Sequence, residues 1–348
     1  MYRFKDDYSE LAHPRILQAL LKAGLEQDEG YGHDRHCAAA QENIKKHLGA
    51  YADKVDIHFL CGGTQSNLTA ISAFLRPHEA ALATETAHIC VHETGAIEAT
   101  GHKVVTVPAY EGKPRPADLL EAVQAHHDEH MVKPRLLKIS NSTELGTIYT
   151  RNELEALSAF CREKKLLLYV DGARLGAALT APGNDISLED MCRLTDAFYI
   201  GGTKNGAMLG EAMILRNDAL KEDFRYHMKQ KGGLLAKGRI LGIQFEELFR
   251  DDLFFDLARH ANRMAQRMAE ALRQAGYGFL TASPTNQIFP ILPNTLIARL
   301  ERDWAFYVWQ KMDEAHSAIR LVTSWATSEE EVDALIEVCC AGRETPRG

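Results

Sequence analysis

Short apolar stretches that alternate with helical ones constrain the fold of this sequence most strongly. The apolar stretches include "VDIHFL", "RLLKIS", "LLLYVDG" and "AFYIGG", and amphipathic segments such as residues 151–164 lie between them. Strands that are apolar along their whole length are buried on both faces, which is typical of a parallel sheet with helices on each side. The alternation therefore predicts an α/β domain with a mostly parallel sheet over residues 15–240.

The pattern changes after about residue 240. Residues 251–276 have the apolar spacing of one long helix, two short strands are predicted at 285–292 and 318–325, and a helix is predicted near 328–341. We therefore expect an N-terminal segment at 1–14, the large domain at 15–240 and a smaller α+β domain at 241–348. No stretch rich in proline, glycine and serine separates the two domains, so we expect a helix to join them.

Charge and cysteine content argue against several classes of protein. The 348 residues include 40 Lys and Arg against 48 Asp and Glu, a net charge of −8, which leaves no basic face for nucleic acid. No apolar run is long enough for a membrane span, and the polar start "MYRFKDDYSE" is unlike a secretory signal. The seven cysteines form no C-x-x-C pair. We therefore expect a cytoplasmic protein that binds neither nucleic acid nor membrane.

Polar segments directly follow several of the predicted strands. They are "GGT" at 62–64, "ETAHICVHE" at 85–93, "NSTELGT" at 141–147, "DGAR" at 171–174 and "GGTKNG" at 201–206. Ligands bind at the carboxyl ends of the strands in an open parallel sheet. These segments are therefore the candidates for a binding site.

Three of these segments carry complementary chemistry. A glycine-rich turn that opens a helix can bind phosphate through its N–H groups, although a simple turn has a similar sequence. Asp171 ends an apolar strand, where it could pair with Arg174 or hold a protonated ring nitrogen. Lys204 follows the next strand and is either a surface lysine or a nucleophile. In this order, the three favour a pyridoxal 5′-phosphate site with Lys204 as covalent anchor and His88 stacked on the ring.

Five longer motifs resemble one family of such enzymes. They are "AHICVHETGA", "STELGTIYT", "VDGARLGAAL", "GGTKNGAMLGEA" and the segment "RLVTSW", which contains Arg320. In this order they are similar to the low-specificity L-threonine aldolases and their β-eliminating lyase relatives, over nearly the whole chain. The resemblance implies the fold-type I architecture of aspartate aminotransferase, pyridoxal 5′-phosphate as cofactor, and a dimer of dimers whose active sites are shared between subunits.

The resemblance also implies how the cofactor is held. Gly63 and Thr64 would contact its phosphate. His88 would stack over the pyridine ring, Asp171 would pair with the ring nitrogen, and Lys204 would bind the cofactor covalently.

Three further basic residues match positions with a role in the family. Arg174 would hold the phenolic oxygen of the cofactor or the substrate carboxylate. Arg320 would clamp the carboxylate of the amino acid, for which a bidentate guanidinium is suited. Lys229, in "YHMKQKGG", matches a lysine that reaches the phosphate of a neighbouring subunit.

Two roles stay open. Relatives place a neutral Ser or Asn near the substrate carboxylate, where this sequence has Asp6. A second carboxylate there would repel the substrate unless it is protonated, turned away or matched to a different substrate.

The general base could be His88, a bound water or a second histidine. His126, in "HHDEH", lies near where relatives place that histidine, although a solvated helix end is the preferred interpretation of this cluster. A metal site from His126 and His130 would lack a third ligand, so no metal is expected.

These implications predict aldol cleavage of a 3-hydroxy amino acid, L-threonine or L-allo-threonine, to glycine and an aldehyde. A β-eliminating lyase or an aminotransferase acting on another amino acid would use the same carbanion chemistry and is the alternative. A non-catalytic protein that keeps the fold is disfavoured, because Asp171, Lys204 and Arg320 are all present.

Overall fold

A computed structural model describes residues 1–341. The helices are α1 Pro14–Lys22, α2 Arg35–Lys45, α3 Gly63–Phe74, α4 His88–Val91, α5 Pro116–Ala125, α6 Arg151–Lys164, α7 Leu175–Leu179, α8 Leu188–Leu194, α9 Phe224–Gln230, α10 Arg239–Leu248, α11 Leu253–Gln274, α12 Asn294–Leu300 and α13 Glu329–Cys340. The strands are β1 Tyr2–Arg3, β2 Asp56–Leu60, β3 Glu79–Thr84, β4 Val104–Val107, β5 Lys133–Ser140, β6 Leu167–Asp171, β7 Ala197–Gly201, β8 Glu211–Leu215, β9 Gly278–Phe279, β10 Gln287–Ile288, β11 Pro290–Pro293, β12 Trp304–Ala305, β13 Tyr307–Lys311 and β14 His316–Val322.

The larger sheet has seven strands in the order β2-β8-β7-β6-β5-β3-β4. The strands from β7 through β6, β5 and β3 to β4 pair in parallel, while β8 runs antiparallel to both of its neighbours. This mostly parallel sheet confirms the predicted fold class. Because β8 is reversed, its first residue, Glu211, pairs with Gly201 at the carboxyl end of β7. The sequence pattern did not single out β8 as a strand.

Both faces of this sheet are buried, which explains why its strands are apolar along their length. In β6, Leu168 and Val170 belong to one apolar core, whereas Leu167 and Tyr169 belong to a second core on the other face. Successive side chains of a strand point to opposite faces, so each face receives every second residue. Within residues 1–341, none of the helices combines the length and apolar character that crossing a bilayer requires.

The smaller sheet is antiparallel and is centred on β14, which pairs with β10, β11 and β13. The start of the chain belongs to this half of the molecule: β1 pairs with β12, and the Phe4 carbonyl accepts a hydrogen bond from the Val322 N–H at 2.8 Å. Residues directly after Phe4 therefore emerge beside the carboxyl end of β14.

One long helix, α11, contributes to the cores of both halves. The first turns of α11, with Phe254 and Leu257, pack in the core of the larger sheet, and its later turns, with Met264 and Leu272, pack in the core of the smaller one. Residues of α10 also pack against the larger sheet. We therefore propose that the two halves divide within α11 rather than at residue 240.

The sequence also predicts helices over residues 92–100 and 116–130, and both differ from the structure. The helix expected near residues 92–100 is broken after α4, because Thr94 and Gly95 adopt the left-handed conformation, with φ of 53° and 71°. The helix expected at 116–130 ends at Ala125, five residues early. Both breaks shape loops at the ends of sheet strands.

Candidate active site

Asp171 lies at the carboxyl end of β6, and four groups hold its carboxylate. Oδ1 accepts hydrogen bonds from the Tyr199 hydroxyl and, at 3.1 Å, from the Ala173 N–H. Oδ2 accepts from Asn67 Nδ2 at 3.1 Å and forms an ion pair with Lys138 Nζ at 3.2 Å. Burial would raise the pKa of Asp171, but the Lys138 charge and the hydrogen bonds outweigh it and hold the pKa well below its usual range. Asp171 is therefore a fixed, ionised carboxylate.

Lys204 follows β7, the strand next to β6. No hydrogen bond or ion pair holds its Nζ within the part of the chain that the structure describes, and the Tyr8 ring lies 6.0 Å away. Desolvation lowers the pKa of Lys204, and the positive charge of Arg174 lowers it further. A lysine with a lowered pKa and a free amine is suited to attack a carbonyl group.

A buried carboxyl group faces the segment that carries Lys204. Glu211 Oε1 accepts a hydrogen bond from Thr203 Oγ1 at 2.9 Å, and its Oε2 accepts one from the Gly202 N–H at 3.2 Å. Burial raises the pKa of Glu211 to about 8. The group is therefore mostly protonated at neutral pH and adds little negative charge beside the lysine.

The two glycine-rich turns differ in what surrounds them. A Cβ on Gly201 would lie 2.4 Å from the Ala173 carbonyl oxygen, and one on Gly202 would lie 2.8 Å from the Gly210 carbonyl oxygen, so both glycines serve close backbone packing. A Cβ on Gly62, the residue that caps the start of α3, would meet nothing within 4 Å. Open space in front of the first N–H groups of a helix, those of residues 63 and 64 here, suits a phosphate group.

A chain of hydrogen bonds links His88, at the start of α4, to Asp171. His88 Nδ1 lies 2.7 Å from Glu93 Oε1, and the same oxygen accepts a hydrogen bond from Asn67 Nδ2 at 2.7 Å. Asn67 also donates to Asp171. Because a carboxylate only accepts, Nδ1 carries the proton of a neutral imidazole and Nε2 keeps its lone pair. The His88 side chain is 37% exposed, so a ligand can reach it.

Arg174 pairs with Asp7 and not with Asp171, the local partner that the sequence left open. Its Nε and Nη2 donate to the two oxygens of Asp7 at 2.6 and 3.0 Å, and Asn286 Nδ2 donates to Asp7 at 2.9 Å. Burial would raise the pKa of Asp7, but the Arg174 guanidinium outweighs it and lowers the pKa. The N-terminal segment is thereby fixed against the carboxyl end of the larger sheet.

Asp6, predicted to lie near the substrate carboxylate, points elsewhere. Its Oδ1 accepts hydrogen bonds from Ser9 Oγ at 2.8 Å and from the Tyr8 N–H at 3.4 Å, in an exposed turn. The next residue, Asp7, is the carboxylate that faces Arg174. The Asp6 carboxylate is thus turned away, which is one of the three arrangements that the sequence left open.

Arg320 reaches the same region from β14 of the smaller sheet. Its Nη2 donates to the Lys5 carbonyl oxygen at 3.2 Å, whereas its buried Nε has no hydrogen-bond partner among residues 1–341. The Tyr307 and Trp309 rings lie 5.0 and 5.1 Å from the guanidinium carbon. Desolvation and the charge of Arg174 lower the pKa of Arg320. Two neighbouring guanidinium groups with an unpaired donor are suited to bind a carboxylate.

The structure does not bring His126 or Lys229 to this site within one chain. His126 follows α5, its Nδ1 lies 2.8 Å from the Ala122 carbonyl oxygen, and it precedes the amino end of β5. The site lies at the carboxyl end of that strand, and eight residues of strand span roughly 25 Å. His126 is therefore no candidate base in its own chain. Lys229 is exposed on α9, with its Nζ 4.6 Å from the Tyr31 ring.

Sequence reasoning missed four residues whose side chains form a hydrogen bond or ion pair with the side chain of Asp171 or His88: Asn67, Glu93, Lys138 and Tyr199. Lys138 had a detectable signal, because a lysine inside the apolar strand "RLLKIS" is costly to bury unless a partner neutralises it. No sequence pattern marks Glu93 or Asn67 as a site residue, since their partners lie on other loops and helices.

The two-sheet architecture, with an ionised aspartate at one strand end and a free lysine after the next, defines a pyridoxal-phosphate enzyme of fold type I. A single-mutant aspartate aminotransferase from Thermus thermophilus has this fold, with a TM-score of 0.71 over 98% of this chain and 91% of that one at 16% identity. The chain belongs to the β-eliminating lyase family, whose sequence profile matches residues 12–316.

Relatives within this family are similar along almost the whole chain. A low-specificity L-threonine aldolase from Pseudomonas aeruginosa is 32% identical over 95% of this chain and 94% of its own length. One from Escherichia coli O157:H7 is 28% identical over 79% of each chain. A threonine aldolase structure from Leishmania major matches with a TM-score of 0.95 and 50% identity, over 97% of this chain and 98% of that one.

The residues present fit pyridoxal 5′-phosphate, the cofactor of this family. The start of α3 offers open space and free N–H groups to a phosphate. Asp171 offers an ionised carboxylate to a protonated ring nitrogen. Lys204 offers an amine that no residue in the described part of the chain engages.

Proposed function

We propose that this protein cleaves L-threonine or L-allo-threonine to glycine and acetaldehyde with pyridoxal 5′-phosphate. One observation carries the proposal: ionised Asp171, free Lys204 and the Arg174 guanidinium follow neighbouring strands of the larger sheet, and Arg320 is held at the same N-terminal segment as Arg174, in a chain that is 50% identical to a threonine aldolase. The names of the relatives support cleavage over β-elimination or transamination.

Arg320 and Arg174 bind the carboxylate of the amino acid. Arg320 supplies the unpaired Nε, and the Asp7 pair holds Arg174 in place. A bidentate carboxylate contact fixes the amino acid in one orientation, which determines the bond at Cα that is presented for cleavage.

His88 is the proposed general base for the substrate hydroxyl. Glu93 holds the proton of the imidazole on Nδ1, so Nε2 can accept the hydroxyl proton as the Cα–Cβ bond breaks and the aldehyde forms. The electron pair of that bond stays with Cα, and a proton added to Cα completes glycine. Glu93 then stabilises the positive charge that His88 acquires.

Asp171, Lys204, Gly63 and Thr64 would hold the cofactor, with His88 against its ring. When bound, pyridoxal 5′-phosphate supplies an electron sink for the pair left on Cα. Asp171 retains the proton of the ring nitrogen, and Lys204 supplies the amine for covalent attachment.

We further propose that two subunits share each active site, in a dimer of dimers. Lys229 and Tyr226 are exposed on α9, the latter 77% so, and Leu25 is 99% exposed. These exposed side chains, with Tyr226 one helical turn from Lys229, are compatible with contact with a second copy, whose phosphate site Lys229 would reach. Seven free cysteines support a reducing compartment such as the cytoplasm.

Product analysis tests the proposed reaction. Protein loaded with cofactor is incubated with L-threonine and L-allo-threonine, and glycine, acetaldehyde, ammonia and keto acid are measured. Equal amounts of glycine and acetaldehyde are expected, and Lys204→Ala should form neither. Ammonia with keto acid would show a β-eliminating lyase instead, and amino transfer to an added keto acid would show an aminotransferase.

A further inference from the structure

Lys138 is a second lysine at the site, and its side chain is wholly buried, with 0% exposed. In the pairing of β5 with β6, Lys138 is opposite Tyr169 and Ser140 is opposite Asp171. Residues two apart in a strand share a face, so a long side chain at position 138 can extend along that face to the strand end. Its Nζ reaches Asp171 Oδ2 at 3.2 Å and donates to Ser140 Oγ at 2.7 Å.

This lysine is the positive charge within a cluster of acidic groups. Besides Asp171, Glu144 Oε1 lies 3.9 Å from its Nζ, the Glu93 carboxylate acts on it, and it acts on the Cys90 thiol. Burial would lower the pKa of Lys138, but the three carboxylates outweigh it and raise the pKa. Lys138 therefore stays charged across the neutral range.

The proposed reaction gives Lys138 no task of its own, since Lys204 is the amine and His88 the base. A cation 3.2 Å from Asp171 Oδ2 nevertheless competes with any further donor for the charge of that carboxylate. We propose that Lys138 is a positioning residue that orients Asp171 and reduces the negative charge it offers to the ring nitrogen, and thereby sets the pH at which the bound cofactor changes protonation. The inference rests on the cofactor site of the proposed function, and it is independent of which amino acid is the substrate.

The test follows the visible absorption band of cofactor-loaded protein as a function of pH, without substrate. Lys138→Gln removes the charge and keeps a donor for Ser140 and Asp171. Its titration midpoint should rise by about one pH unit, because a site with one positive charge fewer holds protons more strongly. Glu144→Gln removes a negative charge from the same cluster, so its midpoint should fall. Lys133→Gln removes a lysine from the exposed start of the same strand and should stay within about 0.2 units of the wild type.

An unchanged midpoint in a folded, cofactor-loaded Lys138→Gln protein would overturn the inference and leave Lys138 as a structural partner of Asp171. If that variant does not fold, Glu144→Gln decides, and a midpoint that is unchanged or higher overturns the inference. Wild-type protein that develops no visible band with pyridoxal 5′-phosphate would overturn the cofactor site and this inference together. A band with the expected shifts but no acetaldehyde would overturn the proposed reaction alone.

Discussion

The side of the site around Asp171 and the side around Arg320 differ in how many of their polar groups already have partners. Asp171 accepts from four donors, three of them side chains of the larger sheet and α3. Arg320 comes from the smaller sheet, and its buried Nε has no partner among residues 1–341. Buried donors in native proteins are nearly always paired, so the unpaired Nε is a donor that a bound carboxylate can use. The chain itself therefore fixes the Asp171 side, and the Arg320 side is completed when a carboxylate binds.

Lys204 is the proposed anchor of the cofactor, so its removal should have the largest effect. Lys204→Ala should lower kcat at least about a thousandfold, because no neighbouring group can replace a covalent anchor. The measurement is the steady-state rate of glycine formation, with Lys133→Ala as the control on an exposed lysine. Activity within tenfold of the wild type would show that Lys204 is not the anchor.

An Asp7→Asn variant tests whether the ion pair between Asp7 and Arg174 is a fixed part of the free protein, like the contacts around Asp171. Asp7→Asn leaves the Arg174 guanidinium buried without its counter-charge, so the free energy of unfolding should fall by about 3 kcal/mol. Urea unfolding of the two proteins measures the difference. Asp6→Asn is the matched control at the exposed neighbour and should change stability by less than about 0.5 kcal/mol. Equal effects of the two substitutions would contradict the distinction between them.

Arg320→Gln tests the Arg320 side of the site, where a bound carboxylate would supply the missing partner. Its KM for threonine should rise about 10- to 100-fold, the value of a charge-assisted hydrogen-bonded pair, while the stability of the free protein changes little. The KM and the unfolding midpoint are measured on the same preparation. A large loss of stability with an unchanged KM would mean that Arg320 serves the fold instead of the substrate.

Glu211 provides a prediction about pH. Burial raises its pKa from 4.5 to about 8, so the folded protein retains a proton that the unfolded chain releases between these values. Stability should therefore fall as pH rises through this window, by up to about 1 kcal/mol per pH unit. Glu211→Gln should remove this pH dependence. The unfolding free energy of the variant, relative to that of the wild type, should therefore increase from pH 5 to pH 8. Parallel stability curves for the two proteins would contradict a protonated Glu211.

The smallest effect is expected at Asp6. Asp6→Ser restores the neutral residue type that relatives place there, but the Asp6 carboxylate faces an exposed turn. Its charge is therefore screened by solvent, and KM for threonine should change less than about threefold. A tenfold fall in KM would show that Asp6 turns toward the substrate when the substrate binds.

The sequence was sufficient for the parts of the molecule that depend on local patterns. The apolar strands predicted the larger sheet, and the strand ends identified Asp171, Lys204 and the turn before α3. It was insufficient where partners come from distant elements: Asp7 pairs with Arg174 across 167 residues, and Asn67 contacts Asp171 across 104. The early end of α5 shows the same limit, since no residue after Ala125 marks the point at which the helix ends.

The last measurement identifies the lysine that carries the cofactor, because the site contains two lysines, Lys204 and Lys138, with opposite surroundings. The loaded protein is reduced with borohydride and digested, and the labelled peptide is identified by mass spectrometry. We predict that the label lies on Lys204, whose amine is free and whose pKa is lowered, and that none lies on Lys138, which Asp171 holds charged. A label on Lys138, or no labelled peptide at all, would contradict the account.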